Sequence, residues 1–240
     1  MAEIRLAVPP EIDRYLDALV RTGPFGTKAE LVRAAIVAYA QQAGPMAQDF
    51  DKVNHFSPDG RIYQIEYARE SSRRGLPIAG AVFDKGVVLG AAYSAGPNPT
   101  VRSGGKIDRL SPHVAVLKVG LVADGRSVVR HLRRQSWKSA DELVDEASRY
   151  FWEHTLKRED RPLGCSLLIA STLAHEPRLF AVDPSGSIGE MEAEVIGMGA
   201  DGLREAALKG YHRGKAKDAE GLVARLLGKE GGREVVRLEV

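Results

Sequence analysis

One cysteine stands among 240 residues, so no disulfide can close within the chain. Cys165 lies in the apolar run Gly164-Cys165-Ser166-Leu167-Leu168-Ile169, which reads as a core strand. There a small buried residue is expected rather than a nucleophile. A single thiol fits a reducing cytoplasm. No apolar run approaches the ~18 residues a membrane span needs. Met1-Ala2-Glu3-Ile4-Arg5 lacks the basic-then-apolar layout of a signal peptide, which also points to the cytoplasm. An excess of one charge is missing too. The 34 basic and 32 acidic side chains leave a net charge of +2, so global electrostatics give nucleic acid no advantage. The histidines (55, 113, 131, 154, 175 and 212) are scattered without ligand spacing, and neither a metal nor a cofactor is expected. With 44% apolar and 28% charged residues, the chain reads as a soluble globular protein of one sizeable domain plus a small one.

The first 44 residues differ from the rest. Ala2 to Val8 alternate, with Ile4, Leu6 and Val8 on one face and Glu3, Arg5 and Ala7 on the other. Pro9-Pro10 end that strand and open a helix with the stripe Ile12, Leu16, Leu19 and Val20. After Gly23-Pro24-Phe25-Gly26, Thr27 and Glu30 are spaced as a capping box. The helix they open carries Leu31, Val32, Ala35, Ile36 and Tyr39. Residues 45–49 read as a linker, and the main domain is expected over 50–240.

Strand, helix and capped helix in this order resemble a ribbon-helix-helix module. One copy is too small to bury a core. The resemblance implies that two copies pair their strands, so the chain is expected to dimerise through residues 1–44. It also implies a possible DNA face, with Arg5 as base reader and Thr27 and Lys28 holding a phosphate. Residues 1–44 carry five basic and five acidic side chains, and this balance disfavours nucleic acid.

From Phe50 onward, turns and strands dominate. Phe56-Ser57-Pro58-Asp59-Gly60-Arg61 reads as a turn feeding a helix with Ile62, Ile65 and Ala68 on one side, stopped at Gly75-Leu76-Pro77. Short strands rich in Val, Ile and Leu come in pairs around turns such as Asp183-Pro184-Ser185-Gly186. Helices are expected at about Ser127–Trp137, Asp141–His154, Leu203–His212 and Glu220–Leu227. Runs of strands with helix pairs argue α+β. Arg126, Arg130, Arg133 and Arg134 share one helix face. That stripe suits an acidic neighbour or a polyanion, or is simply a solvated face.

The stretch Phe56-Ser57-Pro58-Asp59-Gly60-Arg61, followed by Gln64 and Glu66-Tyr67-Ala68, resembles the signature of α-type proteasome subunits. Gly120-Leu121-Val122-Ala123-Asp124 and Arg161-Pro162-Leu163-Gly164-Cys165 resemble later junctions of that family, and the likeness runs from about Phe50 to Val240. It implies two stacked antiparallel sheets between helix layers, the four-layer α/β/β/α sandwich of N-terminal-nucleophile hydrolases. Active β-type subunits of the family expose a threonine whose hydroxyl attacks and whose own amine is the base. Here the matching place reads Leu76-Pro77, and Gly90 to Gly96 offers no lysine. No catalytic residue is therefore expected.

The resemblance further implies a homo-oligomeric ring, β-type subunits as partners, and an activator ATPase. The activator's C-terminal carboxylate would meet Lys106 in a pocket with Gly75 and Leu121. A gate cluster would fall on Phe50, Asp51, Pro58 and Tyr67, although Phe50 lacks the hydroxyl found there in the family. A two-fold module on an odd ring leaves two arrangements open, rings paired face to face or an even-numbered assembly. The alternative of another class is a DNA-binding ribbon-helix-helix regulator that uses an inactive proteasome-like domain to oligomerise.

Overall fold

Pro9-Pro10 do start a helix. In a computed structural model, described over residues 7–23, 25–36, 38, 55–57, 60–93, 105–157, 160–209, 211–228 and 232–240, α1 spans Pro10–Thr22. Proline serves its first turn, Glu11 and Asp13 face the positive end of its dipole, and Arg21 sits in its last turn. The chain divides into two units, Met1–Val53 and Asn54–Val240.

In the first unit α2 covers residues 28–36. The Glu30 N–H donates to Thr27 Oγ1 at 3.2 Å, as an N-cap requires. The return half of the box differs from expectation: Glu30 Oε2 accepts from the Gly26 N–H at 3.0 Å. No residue of α1 is buried. Ile12 is 48% exposed and Ile36 52%, while Leu16, Leu19, Val20, Leu31 and Val32 are half-buried, so the apolar stripes are only partly covered. Of the strand expected over Ala2–Val8, only Ala7 and Val8 are described, and neither is in a strand. Arg5 and the linker at 45–49 lie outside the described residues. We expect Thr27→Ala to destabilise α2 by about 1 kcal/mol. Hydrogen exchange at the Glu30 amide in the full chain checks this: protection there should fall while that of the second unit stays unchanged.

The second unit begins with the quoted turn. The Gly60 N–H donates to the Ser57 carbonyl at 2.8 Å, and the Arg61 N–H to Ser57 Oγ at 3.1 Å. Then α3 (Tyr63–Arg73) buries Ile65, Ala68 and Ser72. Two hairpin-linked strands follow, β1 (Ile78–Phe83) and β2 (Gly86–Tyr93), and then β3 (Ile107–Ser111) and β4 (Val114–Gly120). Helices α4 (Val122–Leu132) and α5 (Ala140–Leu156) lead to β5 (Cys165–Ser171), β6 (Arg178–Val182), β7 (Ile188–Glu190) and β8 (Ala193–Ile196). The unit closes with α6 (Ala200–Leu208), α7 (Ala216–Leu226) and β9 (Gly232–Glu239).

The strands form two antiparallel sheets, β8-β1-β2-β9 and β3-β4-β5-β6-β7. The period of two assigns their faces. On β4, Ala115, Leu117 and Val119 join Leu89, Leu168 and Leu179 between the sheets. Val114 and Val116 turn the other way, onto Leu132, Leu143 and Phe151 of α4 and α5. On β2, Leu89 faces the centre while Val88 packs with Leu222 and Leu226 of α7. The result is the expected order of helices, sheet, sheet, helices.

The limits of α4, α6 and α7 differ from expectation, α7 starting at Ala216 rather than Glu220. α4 starts at Val122 rather than Ser127 and stops at Leu132 rather than Trp137. Its early start depends on Gly125, where a Cβ would stand 2.9 Å from Lys118 Cδ. Its end is sealed by Trp137 Nε1, which donates to the Leu132 carbonyl at 3.3 Å. α6 stops at Leu208, short of the expected His212, and Tyr211 instead donates its hydroxyl to the Val82 carbonyl at 2.6 Å.

Candidate functional site

The head of β1 is the natural place to look for chemistry, because three segments distant in sequence meet there. α3 hands over to β1 through Gly75, Leu76 and Pro77. The pass is tight: a Cβ on Gly75 would lie 2.5 Å from Val119 Cγ2 and 3.0 Å from the Gly120 nitrogen. β4 arrives alongside and turns into α4 at Gly120-Leu121, where the Leu121 N–H donates to the Gly164 carbonyl at 2.8 Å. Pairing of β3 with β4 then carries Lys106, the residue before β3, to the same spot. Gly75, Lys106 and Leu121 line one cavity of about 200 Å³. Leu121 (46% exposed) and Val122 (58%) form an apolar rim.

Lys106 is the chemically distinct group here. Its Nζ donates to the Leu76 carbonyl at 2.7 Å, and its backbone N–H donates to the Tyr93 hydroxyl at 3.0 Å. Among the described residues no carboxylate pairs with this ammonium, and burial pulls it down to about 8. Lys118 nearby is the opposite case, paired with Asp108 and donating to the Gly105 carbonyl at 2.9 Å. Tyr93 is pushed up to about 12 by burial and by its bond to Glu234. Lys106 is thus a half-buried cation lacking an anion, at the base of an apolar-rimmed hollow. A carboxylate entering it would gain a charge-assisted hydrogen bond and restore the lysine's basicity.

Letter spacing alone does not show that a lysine reaches the head of β1. The stretch after β2 has none, yet Lys106 comes in from the far side of the following loop. The local signal is the step from Gly104-Gly105 into the apolar alternation of β3. Leu76 and Pro77 carry no nucleophilic atom. Cys165 is buried, and burial, reinforced by Asp124, pushes its thiol up to about 12, so it holds no thiolate near neutrality.

Tyr67 is exposed on α3, while Phe50, Asp51 and Pro58 lie outside the described residues. Lys28 Nζ sits 2.7 Å from Asp13 and 2.8 Å from Asp17, so its charge is matched within the first unit. The Thr27 hydroxyl is used by the N-cap. Of the arginine stripe, Arg133 pairs with Asp108 at 2.9 Å. His131 bonds Glu146 at 2.5 Å, and His154 donates to the Tyr150 carbonyl at 2.7 Å. Among the described residues no group of three or more His, Cys, Asp or Glu side chains is placed to hold a metal ion, and no helix is long and apolar enough to cross a membrane.

Comparison with known proteins points to one family. The pattern of the family described as proteasome subunit matches residues 72–236, and the N-terminal signature of A-type proteasome subunits matches residues 52–70. The alpha 2 proteasome subunit of Haloarcula marismortui is 36% identical over 189 residues, covering 74% of this chain and 77% of the relative. The alpha proteasome subunit of Halobacterium salinarum is 35% identical over 198 residues, 78% of each. That of Methanocaldococcus jannaschii is 36% identical over 181 residues, covering 71% and 69%.

Proposed function

Because the chain belongs to the proteasome α-subunit family, we propose that it is a non-catalytic ring subunit whose Lys106 pocket receives the C-terminal carboxylate of an activator. One observation carries the reading: Gly75, Lys106 and Leu121 converge on one cavity in which the Lys106 ammonium has no carboxylate partner among the described residues. The same convergence argues against cleavage, since the head of β1 presents Leu76 and Pro77 where the fold would need a hydroxyl or thiol. β-type subunits are the partners that would supply peptidase activity, and an activator ATPase the partner that would supply the tail. The first unit, whose helices leave Ile12, Tyr15 and Ile36 open, would pair with a second copy. A DNA-binding role has less in its favour, because Lys28 is held by two carboxylates.

The test is binding of a short peptide with an apolar end and a free C-terminal carboxylate to the full chain. Lys106→Met should weaken it roughly 10- to 100-fold, the worth of a hydrogen bond to a charged group. Amidating the peptide should do the same to the unaltered protein. The sign of the pH dependence follows from burial. Free Lys106 titrates at about 8, and a bound carboxylate raises that value. Affinity should therefore be flat below about 8 and fall as pH rises above it. Binding indifferent to Lys106, to amidation and to pH would remove the docking reading.

A further inference from the structure

The Lys106 cavity continues into a second one. Gly105 and Lys118 line both, and the second, of about 480 Å³, is walled by Asp108, Arg126, Arg130 and Arg133. Its charges do not balance. Four cations face one carboxylate, and both oxygens of Asp108 are taken, one by Lys118 and the other by Arg133. Arg126 and Arg130 stand one helical turn apart on α4, both exposed. Among the described residues neither has a hydrogen bond or ion pair. Asp124, on α4 itself, is paired with Arg161, and Glu146 on the adjoining α5 with His131 and Arg149. Two guanidiniums and one ammonium without acidic partners among the described residues make a cationic slot suited to anions.

We propose that the two cavities form one groove that selects acidic C-terminal tails, with the terminal carboxylate on Lys106 and acidic side chains of the preceding residues on Arg126 and Arg130. This rests on the docking reading above and names the tail it would prefer. A guanidinium fork suits a carboxylate. An extended tail advances about 3.3 Å per residue, so acidic residues within about five of its end can reach α4. Two unmatched arginines are too few to track a nucleic-acid backbone, whose binding grows with the number of phosphates neutralised.

The experiment compares labelled peptides with free carboxylates and the same apolar end, preceded by either Glu-Glu or Gln-Gln, on the full chain. The Glu peptide should bind about tenfold tighter at low salt, with the margin shrinking at high salt. Arg126→Gln with Arg130→Gln should bring the Glu peptide down to the affinity of the Gln peptide. Should that double variant fail to fold, Arg130→Glu alone should reverse the preference in favour of a Lys-Lys peptide. Equal binding of Glu and Gln peptides, with both still weakened by Lys106→Met, overturns the acidic preference and leaves the pocket standing. Indifference of both peptides to Lys106→Met overturns the pocket itself. Undiminished binding of an amidated Glu peptide, or its displacement by a short single-stranded DNA, means a general anion surface and also overturns the proposal.

Discussion

Gly120→Ala is expected to cost the second unit about 3–5 kcal/mol and to lower its melting temperature by about 10 °C. Two separate penalties meet at this residue. Its φ of +106° is a backbone state that side chains strongly disfavour. A Cβ there would also stand 2.3 Å from the Gly164 carbonyl oxygen and 2.9 Å from Cys165 Cα, both backbone atoms of the neighbouring strand entrance. Neither can swing aside as a side chain would, so β4 and β5 would have to part at that end. The Leu121 N–H bond to Gly164 would go with them, and the rim of the Lys106 cavity would move. Gly202 in α6 is the control. Among the described residues nothing beyond its own stretch of helix lies within 4 Å of its would-be Cβ and its φ is ordinary, so Gly202→Ala should leave the melting temperature unchanged or raise it slightly. A calorimetric scan in which the two variants melt together would refute the account of this junction.

That junction also shows where the sequence could be read and where it could not. Strands were legible as runs of Val, Ile and Leu, but their faces in the second unit were not: Val114, Ala115, Val116 and Leu117 are all apolar and all buried, so the letters do not say which pair meets the other sheet. The turn at Ser57–Gly60 and the N-cap at Thr27 were legible because each closes within three residues. The limits of α4 were not. Its first turn contains Asp124 and Gly125, weak helix formers on their own, and their setting is tertiary: Gly125 packs on Lys118 of the preceding strand, and Asp124 pairs with Arg161, 37 residues on. The pocket positions came from family likeness. Their physics did not, since Lys106 reaches Leu76 only through the pairing of β3 with β4. Lys28 was read as a candidate phosphate contact because its two carboxylate partners sit on the preceding helix, a tertiary relation that letter spacing hides. The unmatched state of Arg126 and Arg130 is likewise a property of neighbours. The stripe was visible, but which of its members had acidic partners was not.

Asp124→Ala should destabilise the second unit by about 3 kcal/mol near neutral pH, and by progressively less in acid. The Asp124 carboxylate is buried at the first turn of α4. It accepts from Arg161 Nη1 at 2.6 Å, from Arg161 Nη2 at 2.9 Å and from the Gly164 N–H at 2.8 Å. It therefore ties the helix start that positions Leu121 to the entrance of β5. Without it, the Gly164 N–H is left buried and unsatisfied. Arg161 loses its partner at smaller cost, because its side chain is 56% exposed and water can take over. Burial alone would push the Asp124 carboxyl up, but the Arg161 guanidinium and the Gly164 N–H outweigh it, and the group is held below the usual carboxylate range. A depressed folded-state pKa means that the contribution is complete above the unfolded value of about 3.9 and is lost as pH falls through the lower folded one. The stability gap between the two proteins should thus be widest near neutrality and close as the carboxylate of the unaltered protein is protonated. Arg161→Met should also show a loss with the same pH sense, because it leaves the buried carboxylate with the Gly164 N–H alone. Urea titrations at neutral pH and in acid distinguish this from simple packing loss, which would leave a gap that does not change with pH.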